Sequence, residues 1–313
     1  MVNSPLFLPG WLEFNRVKWG AVPVTLRFER DPANPPSIEG VLYTDRAGRV
    51  WLPPLNYYLP VSFTPTPTQS AASRYRQWLE LTERYATEMA RRGLKDRVAL
   101  PPDIADVRCW QWAGFQVSAR YTFFLPLPYD PAMLDSATRK NVAKGLKNGF
   151  RDERTTDMRA VMRCLEETEL RQGFRHRLSA EDLEVARGLL GDEAFRAYVC
   201  YAPSGEPAAT KVVLHHPGGR AIVWLSGTRK AYLSACATQL QFMHVLEDLH
   251  AAGATGCDFA GANIPGVALH KSKWGGQLVP FFTVETPGLF GLARYMRDYW
   301  RYRRHKGQCT EAC

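Results

Sequence analysis

The chain lacks any run approaching the ~20 uncharged apolar residues that a membrane span requires. Its first residues, MVNSPLFLPGWLEF, lack the basic region and apolar run of a secretory leader. A cytoplasmic protein is the expectation, with peripheral contact at the inner face of the membrane left open. Cysteine is scarce: Cys109, Cys164, Cys200, Cys236, Cys257, Cys309 and Cys313 are odd in number and form no C-x-x-C pair. No histidine lies at zinc-ligand spacing near a pair of them, so reduced, buried thiols are expected and no metal site. H-E-x-x-H, G-x-S-x-G and G-x-x-x-x-G-K-[ST] are all absent, which leaves metalloprotease, α/β-hydrolase and P-loop readings without footing. His215 and His216 precede Pro217-Gly218 in an expected turn, where exposure is anticipated. His244 and His250, on one predicted helix, do not share a metal-binding face.

What is present is the composition of a globular protein. Hydrophobic residues make up 45% of the 313 and charged residues 23%, which excludes wholesale disorder. At ~150 residues per domain the length suggests two domains, expected at 1–150 and 151–313. The 40 Lys+Arg outnumber the 31 Asp+Glu to give +9, and the excess is patterned.

Alternation in VTLRFER (24–30) and EGVLYTD (39–45) predicts strands joined by turns such as DRAG (45–48), and PVSFTPTPTQS (60–70) reads as a loop. Tyr75, Trp78, Leu79, Thr82, Tyr85, Ala86 and Met89 recur at helical spacing between a Ser70 or Ser73 cap and Gly93. Strands are predicted at 96–103 and 115–127. Ser136 is the expected cap of a helix whose Lys140, Lys144, Lys147, Arg151 and Arg154 form one basic stripe. Helices follow at 157–172 and 179–190, the latter opened by Ser179-Ala-Glu-Asp. Strands are predicted at 195–202, 207–216 and 220–227, a helix at about 233–252, and short closing strands at 256–262 and 277–285. The second half is thus a mixed α/β (α+β) layout around a meander.

That element order matches the acyltransferase fold of the GNAT superfamily. The segment GATGCDFAGANIPGVALHKSKWGGQLVPFF (253–282) resembles the D-F-x-G … F-K-x-x-F-G-G pattern of Fem-type aminoacyl transferases. The W-x-G-F … YTFFLPL run (112–127) and RKNVAKGLKNG (139–149) extend the resemblance. It implies tandem GNAT-like domains, the N-terminal one on the acceptor side. It also implies transfer of an aminoacyl group from aminoacyl-tRNA to an amine of a cell-envelope or secondary-metabolite precursor, with no tightly bound cofactor. Departures are His270 for the family's aromatic and Trp274 for its phenylalanine. The glycine-rich loop by which ordinary GNAT enzymes hold the coenzyme A pyrophosphate is also missing, the chain reading GTRKAYLSACATQ there.

Acyl transfer to an amine passes through a tetrahedral oxyanion, and a fixed cation aimed at that charge accelerates the reaction. The resemblance assigns this role to Lys271. Asp258, between glycines, is either the acceptor of the amine's proton or a cap for the helix near Pro265. His270, Trp274, Gly261, Gly275 and Gly276 fall on the substrate side of the resemblance, the glycines allowing close backbone approach or tight turns. Lys140 and Lys144 are the expected phosphate contacts. A second basic face, Arg294, Arg297, Arg301 and Arg304 beside Leu292, Met296, Tyr299 and Trp300, is expected on a terminal helix at 286–313. Such faces suit tRNA, a phosphate-bearing or lipid-linked acceptor, or an anionic membrane. The sequence leaves open to which domain that helix attaches. The alternatives are an acyl-CoA donor with a sugar or polysaccharide amine as acceptor, and a non-catalytic nucleic-acid or lipid binder on the same scaffold.

Overall fold

A computed structural model of the protein describes residues 4–31, 34–289, 291–293, 296, 297 and 300. Helix α1 (Pro9–Trp19) follows a short 3-10 turn capped by Ser4. Strands β1 (Val22–Asp31) and β2 (Asn34–Thr44) form an antiparallel hairpin, and β3 (Val50–Trp51) and β4 (Val61–Thr64) both pair with β2. Helix α2 (Ala71–Arg92) starts where the Ser70 hydroxyl accepts the Ser73 N–H. It ends at Gly93, whose φ of 72° lets its N–H reach back to the carbonyls of Met89 and Ala90. Then come β5 (Val98–Ala99), α3 (Arg108–Trp112) and β6 (Gln116–Pro126). Helix α4 (Ser136–Lys147) is capped by Asp135 rather than Ser136, and β7 (Arg151–Arg154) follows it at once. Helix α5 (Met158–Gln172) is capped by Asp157, and α6 (Ala180–Ala194) by a reciprocal Ser179–Asp182 capping box. The meander β8 (Phe195–Tyr201), β9 (Pro207–Leu214) and β10 (Arg220–Thr228) leads to α7 (Ala237–Ala251). The chain closes with β11 (Gly256–Asp258), α8 (Pro265–Ser272) and β12 (Gln277–Glu285).

Contacts group these elements into two units. One comprises residues up to Phe14, Phe123–Ala260 and Ala268–Leu278; the other takes Asn15–Thr122, Gly261–Val267 and the described residues from Val279. The grouping differs from a division at residue 150, because strand pairing and not chain order sets it: β11 pairs with the C-terminal part of β6, through Asp258–Phe124 and Gly256–Pro126.

In the first unit the sheet runs β6–β11–β10–β9–β8–β7. Every pair is antiparallel except β10 with β11, a parallel contact from Arg220–Gly256 to Ile222–Asp258. Every residue of β9 is buried, as a strand covered on both faces requires. Helix α7 covers the face that carries Arg196 and Tyr198, both of which donate to Asp248 (2.6 Å each). Helix α5 covers the opposite face, where a Cβ at Gly227 would lie 2.6 Å from the Cys164 carbonyl; only glycine permits that approach. Trp224 is enclosed by Trp11, Phe14 and Phe195 with edge-on ring centroids at 5.2, 5.7 and 6.1 Å.

The second unit folds α2 against the β1–β2 hairpin, burying Leu81, Tyr85, Ala86 and Met89. Phe63 of β4 meets Trp78 edge-on at 5.2 Å. Strand β12 pairs antiparallel with β5 and adjoins β6, and Phe281 packs on Tyr58 at 5.1 Å.

Three sequence expectations are corrected. Residues 61–64 are strand, the prolines falling just beyond them. The basic stripe does not continue past Lys147, since Gly149 turns the chain with φ 75° and Arg151 and Arg154 sit on β7. His215 is wholly buried, its Nδ1 against the Glu193 carbonyl at 3.2 Å. The described cysteines are free and buried, while Cys309 and Cys313 lie outside the described residues, as do Arg294, Tyr299, Arg301 and Arg304. No described helix is long and apolar enough to cross a membrane.

Trp224→Ala removes the ring around which Trp11 and Phe14 pack, and the expected loss is about 3–5 kcal/mol in urea unfolding. Gly227→Ala, a gain of one methyl, is expected to lower the unfolding midpoint as well, because backbone and not a flexible side chain stands in its way.

Candidate active site

The site is built where the parallel pairing of β10 and β11 stops. Strand β10 carries a bulge between Val223 and Leu225, and its contact with β11 ends at Ile222–Asp258. Beyond that point the two strands have no further pairing, and Ser226 of β10 is exposed although its neighbours Leu225 and Gly227 are buried. A bulge re-aims the side chains that follow it and ends pairing. Ser226 lies exposed just past the point where the two strands part.

On the β11 side the chain turns at Ala260 (φ 57°), with the Asp258 carboxylate accepting the Ala260 N–H at 2.7 Å. Asp258 thus shapes its own turn and does not cap α8. The Phe259 N–H donates to the Phe123 carbonyl at 3.0 Å, whereas the Phe259 carbonyl receives the Lys271 ammonium at 2.6 Å. Lys271 lies in the last turn of α8, where the helix dipole favours a cation. It is half-buried, with Nζ 5.7 Å from the Phe259 ring centroid. Burial pushes its pKa down to about 8, against the opposing pull of the Asp258 charge. A solvated helix lysine would show neither feature.

Opposite stands a second lysine that sequence reasoning missed. Lys211 of β9 is 6% exposed, and its Nζ donates to the Ser226 hydroxyl at 3.1 Å while lying 5.2 Å from the Phe242 ring centroid. Burial lowers its pKa to about 8; Asp152 resists that shift and the positive charge of Lys271 adds to it. Asp152, raised by its own burial, accepts His244 Nδ1 at 2.6 Å and Gln241 Nε2 at 2.9 Å. The available signal was a lone charge in the middle of an otherwise apolar meander strand.

The other expected residues divide. Trp274 is 2% exposed and stacks edge-on with Phe242 at 4.6 Å, its carbonyl accepting from the Tyr129 hydroxyl at 2.7 Å; it is core. A Cβ at Gly275 would meet the Met133 carbonyl at 2.3 Å and one at Gly276 the Phe124 carbonyl at 2.9 Å, so both glycines accommodate this chain's own backbone. Gly261 belongs to the other unit, where its N–H donates to the Thr122 hydroxyl at 3.1 Å. His270 adjoins Lys271 and is exposed at the surface. Desolvation by the surrounding chain, with the charges of Lys211, Lys271 and Lys273, holds its imidazole down at about 4, so it is neutral near pH 7. Lys140 and Lys144 are exposed on α4, whose opposite side reaches α7 through Gly145. Among the described residues no group of three or more His, Cys, Asp or Glu is placed to hold a metal ion.

Comparison with known proteins gives the fold its family. The family described as "Acetyltransferase (GNAT) domain" matches residues 136–271, the stretch from α4 to Lys271. The solved structure described as FemX is 13% identical, with a TM-score of 0.64 over 88% of this chain and 91% of that one. The C-terminal domain of a putative lysylphosphatidylglycerol synthetase from Agrobacterium fabrum is 12% identical, with a TM-score of 0.55 over 87% of each chain. L-PGS from Bacillus licheniformis is 9% identical, with a TM-score of 0.54 over 90% of each. No curated protein matches the chain. Residues 136–271 thus resemble a GNAT acetyltransferase domain, within a chain whose mixed α/β fold is similar to that of FemX.

Proposed function

We propose that this acyltransferase moves an aminoacyl group from aminoacyl-tRNA to an amine of a cell-envelope or secondary-metabolite precursor. The observation that carries the reading is the Lys271 ammonium, fixed on the Phe259 carbonyl next to the point where β10 and β11 part. An ammonium carries three donors and no acceptor, which suits it to a developing oxyanion. The amine nitrogen attacks the ester carbonyl carbon and negative charge gathers on the carbonyl oxygen beside Lys271. The C–O bond to the ribose then breaks as the amide forms. A preorganised cation in a half-buried setting acts where the charge develops and needs no solvent rearrangement.

Several features support the aminoacyl donor. The turn before α7 is a 3-10 helix (Lys230–Ala235) ending in left-handed Cys236, without the glycines that expose backbone N–H groups to a pyrophosphate. Two fold neighbours are named for FemX and for a lysylphosphatidylglycerol synthetase, and the second name joins an aminoacyl group to an anionic lipid. Exposed Lys140 and Lys144, on a chain of net charge +9, suit a phosphate backbone. The acceptor is accordingly proposed to bear phosphate or a lipid anchor, and the protein to work in the cytoplasm or at the membrane's inner face.

The deciding experiment incubates the protein in parallel with bulk charged tRNA and with acetyl-CoA, each with a small-molecule cell extract, and follows products by mass spectrometry. An aminoacylated amine made only with charged tRNA is expected; an acetylated product made only with acetyl-CoA would replace the donor, and no product with either would remove the enzymatic reading. Lys271→Met is expected to keep the fold and lower turnover by about 10²-fold or more. Because Lys271 must be charged to act and its pKa is lowered to about 8, the rate is expected to fall as pH rises through that value. Lys140→Glu with Lys144→Glu is expected to weaken tRNA binding and flatten its dependence on log salt by roughly 0.7–0.9 per lost phosphate contact.

A further inference from the structure

The transfer leaves one proton unassigned. An amine attacks only when neutral, and the nitrogen must shed a proton as the amide forms. Asp258 is committed to the Ala260 N–H and lies beside the Lys271 cation it supports, so it is poorly placed to take that proton. Lys211 stands differently. Its Nζ is shut away from water, yet hydrogen-bonded to the hydroxyl of Ser226, an exposed residue just past the point where β10 and β11 part.

Resting on the acyltransferase reading, we infer that Lys211 is the general base of the transfer, working through the Ser226 hydroxyl, with Asp152 holding the ammonium that results. The amine's proton passes to Ser226 Oγ as the hydroxyl's own proton passes to Lys211 Nζ. The N–C bond forms, the ester C–O bond breaks, and the leaving oxygen recovers one proton, so the cycle consumes none. Ser226 is the group that touches the amine; Lys211 reaches the reacting atoms across one hydroxyl, within the range of general-base geometry.

The surroundings of Lys211 suit a group that cycles between neutral and charged. The titratable groups that influence it are Asp152 of β7, Cys200 of β8, Cys257 of β11 and Lys271 of α8; it in turn influences His270 of α8, Tyr198 of β8 is its register partner, and His244 of α7 is bonded to Asp152. Asp152 is held by two donors, Gln241 and His244, the latter with 38% of its side chain exposed. A carboxylate so fixed offsets the ammonium when it forms, while the neighbouring Lys271 charge and the absence of water favour its release. Lys211 titrates downward to about 8 from these causes. That value lies near working pH, where a general base combines availability with strength.

Two measurements test the assignment. The first needs no substrate: the pH titration of lysine carbons labelled at Cε is followed by NMR, with Lys211→Met identifying the resonance. A midpoint near 8 that moves upward in Lys271→Met is expected; a midpoint above 10, or one indifferent to Lys271, overturns the assignment. The second compares wild type, Lys211→Met and Lys211→Arg after matched thermal unfolding confirms that they fold. Wild-type kcat is expected to rise and then fall across pH 8, while both variants lose 10²–10⁴-fold and the rising limb. Rescue by arginine would make Lys211 a fixed charge and overturn its role as base. An acyl group found on Ser226 after incubation with donor alone would do the same, because the hydroxyl would then be the nucleophile. Product formed equally well by Lys211→Met strikes this assignment alone, whereas no product from the wild type strikes the acyltransferase reading beneath it.

Discussion

The site depends on the short run of parallel pairing between β10 and β11. Once the bulge at Val223–Leu225 ends that contact at Ile222–Asp258, backbone groups on both strands need other partners, because a buried carbonyl left unmade costs about 1–3 kcal/mol. The Phe259 carbonyl finds its partner in a side chain, the Lys271 ammonium. A charged donor there makes a stronger bond than a neutral amide would, and it leaves a fixed cation next to the point where the strands part. The structural repair and the chemical opportunity come from the same bond.

That arrangement constrains its neighbours. Gly275 and Gly276, directly after α8 and Trp274, must lie close to the backbone of Met133 and Phe124 to bring α8 back onto the sheet. Trp274 packs edge-on against the Phe242–Phe259 pair, and Phe259 in turn offers its ring face to the lysine. The K-x-x-W-G-G run is thus mostly a device for holding Lys271. Its lysine reaches the Phe259 carbonyl, while the tryptophan and glycines pack against the core.

Much of this architecture was legible in the sequence because local physics agrees with the tertiary result. Ser70 to Gly93 contains its own start, stripe and stop signals, and α2 spans the residues between them. The Ser179–Asp182 box and the alternation of QLVPFFTVE likewise locate α6 and β12. Helix α1 was not legible: Pro9-Gly10 reads as a turn, and what fixes the helix is the distant docking of Trp11 and Phe14 on Trp224. The basic stripe failed because helical spacing was carried across Gly149, whose left-handed backbone ends the helix and starts β7. Lys271 and Asp258 were named as candidates through the motif. Lys211 and Asp152 were not, since one reads as the solvent face of a strand and the other as part of a charged helix. Only the burial of β9 on both faces turns Lys211 into an anomaly.

The anomaly is best understood as a matter of charge. A fall from 10.5 to about 8 for Lys211 corresponds to roughly 3 kcal/mol of lost preference for its ammonium. If Lys211 were only structural, a methionine would fill the space without that penalty. Two neighbouring ammonium groups raise each other's cost, so the pair settles with one proton more firmly held than the other. Lys271 has the Asp258 charge and the Phe259 carbonyl to keep its proton, while Lys211 bears the larger share of the repulsion, its own pKa being pushed down by Lys271. Acyl transfer to an amine needs a cation for the oxyanion and a base for the nucleophile at the same pH. Both lysines are lowered to about 8, so near that pH each is partly protonated and the proposed cation and base are available together.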